Sequence, residues 1–126
     1  MRRILPMILG TLLLLSLCQT ATAGQHNLTG QWTFAFTIEN GASYADPCTI
    51  QQDGSQFSGA VIYEDDGNTI QEPFSGEVHD DGSVEFVLYD AGNAVHHQGR
   101  ISPDGNTVHG TWSFSDGSGD FTLVRQ

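Results

Sequence analysis

Two residues break an otherwise apolar alternation, Glu72 beside Pro73 and His97 in the run Val95-His96-His97-Gln98. A carboxyl and an imidazole on an inward-facing track each need a polar partner. Together they offer a general acid and a general base. The alternatives are that each is satisfied locally, or that a bulge next to Pro73 turns Glu72 outward. Three tyrosines, Tyr44, Tyr63 and Tyr89, supply rings and hydroxyls suited to ligand contact at low entropic cost. His96 and His109 fall on one outer face of two neighbouring strands, yet two histidines without a third ligand make a poor metal site. Asp65-Asp66-Gly67-Asn68 lacks the spaced oxygens of a calcium loop. No cofactor and no dedicated metal is therefore expected, and with no nucleophile and base set side by side, no enzyme.

The elements that must carry these residues are strands. Apolar and polar residues alternate in short runs, and no window holds a helical period. Gly, Asp and Asn clusters punctuate them at Asp53-Gly54, Asp66-Gly67, Asp80-Asp81-Gly82, Asp90 to Asn93, Ser102 to Gly105 and Asp116 to Gly119. The pattern predicts eight strands near 29–38, 48–52, 55–64, 69–79, 83–89, 94–101, 106–114 and 120–125. Cross-strand partners must face the same side of a sheet, which tests the register. Counting back from each turn pairs Ile50 with Phe57, Cys48 with Gly59, Tyr63 with Ile70, Val61 with Glu72, Val78 with Val84, Leu88 with Val95, Gly99 with Val108 and Phe114 with Phe121. All the apolar partners fall on one face. The expected fold is all-β, an eight-stranded antiparallel up-and-down meander closed into a barrel, because closure removes exposed edges.

The inward set is rich in aromatic rings and predicts a mostly filled interior, since an eight-stranded barrel holds its own side chains or one small ligand. Gly30, Gly59, Gly76, Gly99 and Gly110 share the inward parity. They either leave a cavity or make room for rings and sharp coiling. Cys48 on the same track reads as a small buried hydrophobe.

Composition bounds the partners. Met1 to Ala23 reads as a signal peptide, with Arg2-Arg3, an apolar stretch from Ile4 to Leu17, and Ala21-Thr22-Ala23 before Gly24. One domain, 24–126, follows, and a secreted or periplasmic location is expected without membrane insertion after cleavage. Cys18 would leave with the signal, so no intrachain disulfide can form in the mature chain. Lysine is absent, and beyond residue 23 only Arg100 and Arg125 face fifteen Asp and Glu. That balance excludes nucleic-acid binding by phosphate neutralisation.

The opening Leu28-Thr29-Gly30-Gln31-Trp32 and the late Arg125 resemble the calycin superfamily of lipocalins, avidins, fatty-acid-binding proteins and bacterial metalloprotease inhibitors. The resemblance implies structural roles for Gly30, Trp32 and Arg125, with the basic side chain over the indole at the closed end of the barrel. It implies no single activity. The opening is similar to avidins, but the polar side chains with which they hold biotin are not placed in this sequence, and the disulfide of the inhibitor branch cannot form.

In a meander, alternate connections share a pole. The pole opposite Trp32 collects the connection Glu39 to Pro47, all three tyrosines, and Glu39, Asp46, Glu64, Asp65, Asp66, Asp90, Asp116 and Asp120. An acidic mouth bearing tyrosines suits a cationic or polyhydroxyl small molecule, or a basic patch on a protein. Two functions follow: an exported binding protein using Tyr44, Tyr63, Tyr89, Glu72 and His97, or an interaction module such as an inhibitor of an exported hydrolase, using the same loops or the arm Gly24 to Asn27.

Overall fold

The computed structural model describes residues 26–115 and 117–126. The predicted signal peptide, Gly24 and Gln25 of the arm, and Asp116 of the mouth lie outside the described residues. Eight strands follow one another: β1 (Gly30–Thr37), β2 (Ser43–Asp53), β3 (Gln56–Asp65), β4 (Asn68–Val78), β5 (Ser83–Asp90), β6 (Asn93–Ile101), β7 (Thr107–Phe114) and β8 (Gly117–Arg125). Each pairs antiparallel with the next, and β8 returns to β1 from Trp32↔Arg125 to Phe36↔Phe121, closing the barrel. The expected meander is the observed one.

The turns decide how far along each strand a side chain sits. Tyr63↔Ile70, Val61↔Glu72, Val78↔Val84 and Leu88↔Val95 pair as counted. Three hairpins are shifted. Cys48 opposes Val61 and Ile50 opposes Gly59, because the β2–β3 turn closes with Asp53↔Gln56. Gly99 opposes Gly110 rather than Val108. Phe121 opposes Gly110 rather than Phe114, because a tight turn at Ser115, with φ of 54°, sets Phe114 against Gly117. Every shift is an even number of residues, so no side chain changes face.

One predicted connection is itself strand. Residues Ser43 to Pro47 belong to β2, from Thr37↔Ser43 to Thr33↔Pro47, and only Ile38 to Ala42 remain as the turn. Pro47 lacks a ladder donor and argues for a loop on sequence grounds. The pairing persists because it sets Phe36 against Tyr44, whose rings stack at 5.4 Å.

At the closed pole Trp32 is 0% exposed, and its Nε1 donates to the Leu28 carbonyl at 2.8 Å. The Arg125 guanidinium lies 4.4 Å over the indole and donates to the carbonyls of Asn27, Thr29 and Gly105. A cation held over a desolvated ring adds on the order of 0.5–2 kcal/mol. Leu28, fully buried with its amide bonded to Gln52 Oε1, completes the plug.

Above this plug the rings of Phe57, Phe74, Phe86, Phe121 and Phe34 cross the interior in tilted and edge contacts, with Phe86 to Phe121 at 5.4 Å and 83°. Inward glycines are what let them fit. A Cβ on Gly59 would lie 2.7 Å from Phe74 Cζ, and one on Gly99 3.1 Å from Phe121 Cζ. The missing side chains therefore serve rings and strand coiling in the lower barrel.

Candidate functional site

The filled interior ends at this ring layer. Above it the barrel opens into a cavity of about 570 Å³ that reaches the mouth. That corrects the expectation of a mostly filled core: the lower part is packed and the upper part is hollow. The volume falls in the range of small-molecule sites.

Strand order divides the cavity into two unlike walls. Strands β2 to β5 contribute Asp46, Tyr63 with Glu64, Glu72, and Asp90 in succession. Strands β6, β7 and β1 contribute Val95, His97, Trp112, Phe114, Phe34 and Phe36. The carboxylates are confined to the first wall, beside Tyr44, Val61 and Leu88, and the second is aromatic and carries none. Trp112 is held flat by a bond from its Nε1 to the Thr37 carbonyl, 2.9 Å across the barrel wall. It can reach that atom only over Gly119, where a Cβ would stand 2.6 Å from the indole nitrogen.

Glu72 points inward with no outward bulge, and its Oε2 accepts from the Tyr63 hydroxyl at 3.0 Å. Burial, the hydrogen-bonded Asp90 carboxyl and the charge of Asp46 push the Glu72 pKa up to about 7, against the opposing pull of Tyr63. Burial and the Glu72 contact push Tyr63 up to about 12, and burial raises Asp46. A carboxyl whose folded-state pKa exceeds the ordinary 4.5 is protonated in both states at low pH, and it destabilises increasingly as pH rises from about 4.5 to about 7. Glu72→Gln removes this cost. The variant will match the wild type in urea unfolding at pH 4 and exceed it at pH 8.

His97 forms part of the floor. It is 3% exposed, stacked on Phe86 at 4.4 Å and 10°, and edge-on to Phe121 at 5.0 Å. Burial holds its pKa down to about 4, so the ring is neutral at physiological pH. Its Nδ1–H donates to the Val95 carbonyl at 3.1 Å, which leaves Nε2 as an acceptor with no bond among the described residues. His97 and Glu72 therefore have separate partners.

The predicted site residues divide as follows. Tyr44, Tyr63, Glu72 and His97 line the same cavity. Tyr44, 51% exposed, forms the rim where it stacks on Phe36. Tyr89 does not join them. Its side chain alternates outward from Leu88 and borders an open groove of about 580 Å³ on the outer wall with Thr49, Ser58 and Pro73, which corrects its placement in the mouth site. Gly30, Trp32 and Arg125 meet at the closed pole, where a Cβ on Gly30 would reach Arg125 Nη1 at 3.5 Å. His96 faces Ser113 while His109 faces Arg100, so the two histidines stand four residues apart along the ladder, roughly 13 Å. Among the described residues no group of three His, Cys, Asp or Glu could hold a metal ion. Cys48 is buried, with its thiol pushed up to about 12 and thus inert.

Asp46 and Asp90 read in the sequence as acids of the mouth connections, and Phe36 and Trp112 belong to the inward aromatic set expected to fill the interior. All four line the cavity. Their parity was the available signal, because Asp46 lies two residues before Cys48 and Asp90 two after Leu88.

No family model matches this chain, and no curated protein matches it in sequence. Solved structures do match it in fold. A redesigned β-barrel, b11L5F_LGL, superposes with a TM-score of 0.68 at 20% identity, over 83% of this chain and 95% of that one. The redesigned barrel mFAP1, bound to DFHBI, gives 0.65 at 16% identity over 83% and 98%. A fluorescence-activating β-barrel designed de novo gives 0.62 at 17% over 82% and 98%. What is shared at such identities is the fold, a small closed β-barrel.

Proposed function

We propose that this protein is an exported, non-catalytic barrel that binds a small organic molecule in its mouth cavity. The single observation that carries the proposal is the hollow of about 570 Å³ above a packed floor, with aromatic rings on one side and convergent polar groups on the other. A barrel of similar size, mFAP1, has a structure bound to DFHBI, which supports a small-molecule role for a barrel of these dimensions. Export is supported by the signal-like segment Met1 to Ala23. The absence of catalysis is supported by the separate partners of Glu72 and His97, which form no proton relay with each other.

The interaction-module reading draws on the exposed rim rings, Tyr44 at 51% and Phe114 at 41%. The arm offers it less, because His26 is bonded to the Asp80 carbonyl and Arg125 holds the Asn27 carbonyl at the closed pole.

Native mass spectrometry of protein recovered gently from its host's exported fraction separates the two. A small adduct released on denaturation is the expected result, and a stoichiometric polypeptide complex without an adduct would overturn it. Val95 lines the cavity, so Val95→Trp will fill it and abolish the adduct. Tyr89→Ala, on the outer wall, will leave the adduct in place.

A further inference from the structure

Resting on the small-molecule reading above, we infer that the ligand is an organic cation, a protonated amine with a flat apolar body. Its ammonium would lie against the acidic wall of Asp46, Glu72 and Asp90. Its body would lie against Phe36 and Trp112.

The segregation of the walls is the first reason. The carboxylates all come from four consecutive strands, where Tyr44 and Tyr63 stand beside them, and the opposite strands bring Phe36, Trp112 and Phe114 with no carboxylate, so a molecule filling the cavity meets acids on one flank only and π faces on the other. Both flanks attract cations, the first by charge and the second by the ring quadrupole. The second reason is a missing counter-charge. Among the described residues the only Lys or Arg side chains are Arg100 and Arg125, and both are engaged at the closed pole. Arg100 Nη1 donates to the Asp81 carbonyl at 2.6 Å. Carboxyl groups gathered in a half-buried site without a cation are costly, and an incoming cation relieves that cost. The third is the floor: His97, 3% exposed, has no hydrogen bond at Nε2 among the described residues, so the one polar atom the floor presents is an acceptor, suited to an N–H donor and not to an anion. An inorganic ion fits less well, because no three ligating groups among the described residues converge on one point.

Proton balance gives the inference a signature. Around Glu72 are Tyr63 on β3, Asp46 on β2 and Asp90 on β5; Asp65 on β3 acts on Tyr63, and Glu64, whose carboxylate accepts from the Thr69 hydroxyl, and the neutral His97 on β6 border the same cavity. Every charged group among them is acidic. An amine arrives already protonated and favours the Glu72 carboxylate, so a Glu72 that carries a proton releases it to solvent on binding.

Isothermal titration with 2-phenylethylamine, 2-phenylethanol and 3-phenylpropionate holds the body nearly constant and varies the charge. At pH 8 the amine is expected to bind at least about tenfold more tightly than the alcohol, with no detectable binding of the carboxylate. Glu72→Gln should weaken the amine about tenfold and leave the alcohol unchanged. Lowering the pH from 8 to 5 should weaken the amine about tenfold in the wild type and much less in Glu72→Gln. Titrations near pH 7 in buffers of different ionisation heat should show proton release. Equal binding of alcohol and amine would overturn the inference and leave cavity binding intact. Silence from all three would also overturn it, and the native adduct would then decide the broader reading by itself. An adduct that proves neutral or anionic would sink the amine and keep the barrel a small-molecule binder.

Discussion

Trp32→Ala is expected to lower the unfolding free energy by about 3–5 kcal/mol, with a thermal midpoint lower by roughly 15 °C or more. Three losses combine. A fully buried indole leaves a void at the closed pole, the Leu28 carbonyl loses its 2.8 Å donor, and Arg125 loses the ring beneath its guanidinium. Arg125 also ties the Asn27, Thr29 and Gly105 carbonyls together, so losing its platform loosens the β1–β8 seam and the N-terminal plug at once. Trp32→Phe keeps one aromatic ring but loses the N–H and part of the buried indole volume, and should cost less, about 1–3 kcal/mol. Denaturant unfolding measures both. A Trp32→Ala loss well under about 2 kcal/mol would mean that the plug does not hold the barrel shut.

Much of this was legible in the sequence, and the reason is parity. Side chains alternate with a period of two, so each hairpin shift of two or four residues leaves the inward set unchanged. Phe57, Val61, Phe86 and Phe121 are thus inward as expected, although three turns close differently from the count. Height along the barrel has no such protection. Phe34 and Phe36 share a face and both border the hollow, yet Phe34 is buried in the ring layer at its floor while Phe36 is only partly buried on its wall, and the stagger between strands decides which. For the same reason Trp112 reads as core.

Tyr89 shows the converse, since its pole is right and its face is wrong for a cavity residue. Tyr44 is hidden for another reason. Pro47 obscures the strand that pairs Tyr44 with Phe36, so the residue reads as part of a long connection instead of a fixed rim. The sequence puts Asp46 and Asp90 at the mouth, and only parity extended past the apolar residues turns them inward onto one wall with Glu72.

Gly110→Ala is the second large effect, expected at about 3 kcal/mol or more despite adding one methyl. Gly99 and Gly110 face each other across β6 and β7, and a Cβ on Gly110 would run into the Gln98 carbonyl oxygen and stand 2.5 Å from Gly99 Cα. These are backbone atoms, which cannot step aside as a flexible side-chain tip can. The two strands must separate or uncoil. Phe121 lies over this glycine pair and meets Phe86 and His97, so the floor of the cavity moves with it.

Gly92→Ala supplies the contrast. Its φ of 85° disfavours a side chain, but nothing lies within 4 Å of the added carbon, so the cost is conformational only, on the order of 1–2 kcal/mol. Gly110→Ala should therefore lose ligand binding together with stability, while Gly92→Ala should keep binding after its smaller loss. Equal costs at the two positions would assign Gly110 to backbone freedom alone. The curvature that places a packed floor beneath an open mouth would then have to come from elsewhere in the barrel.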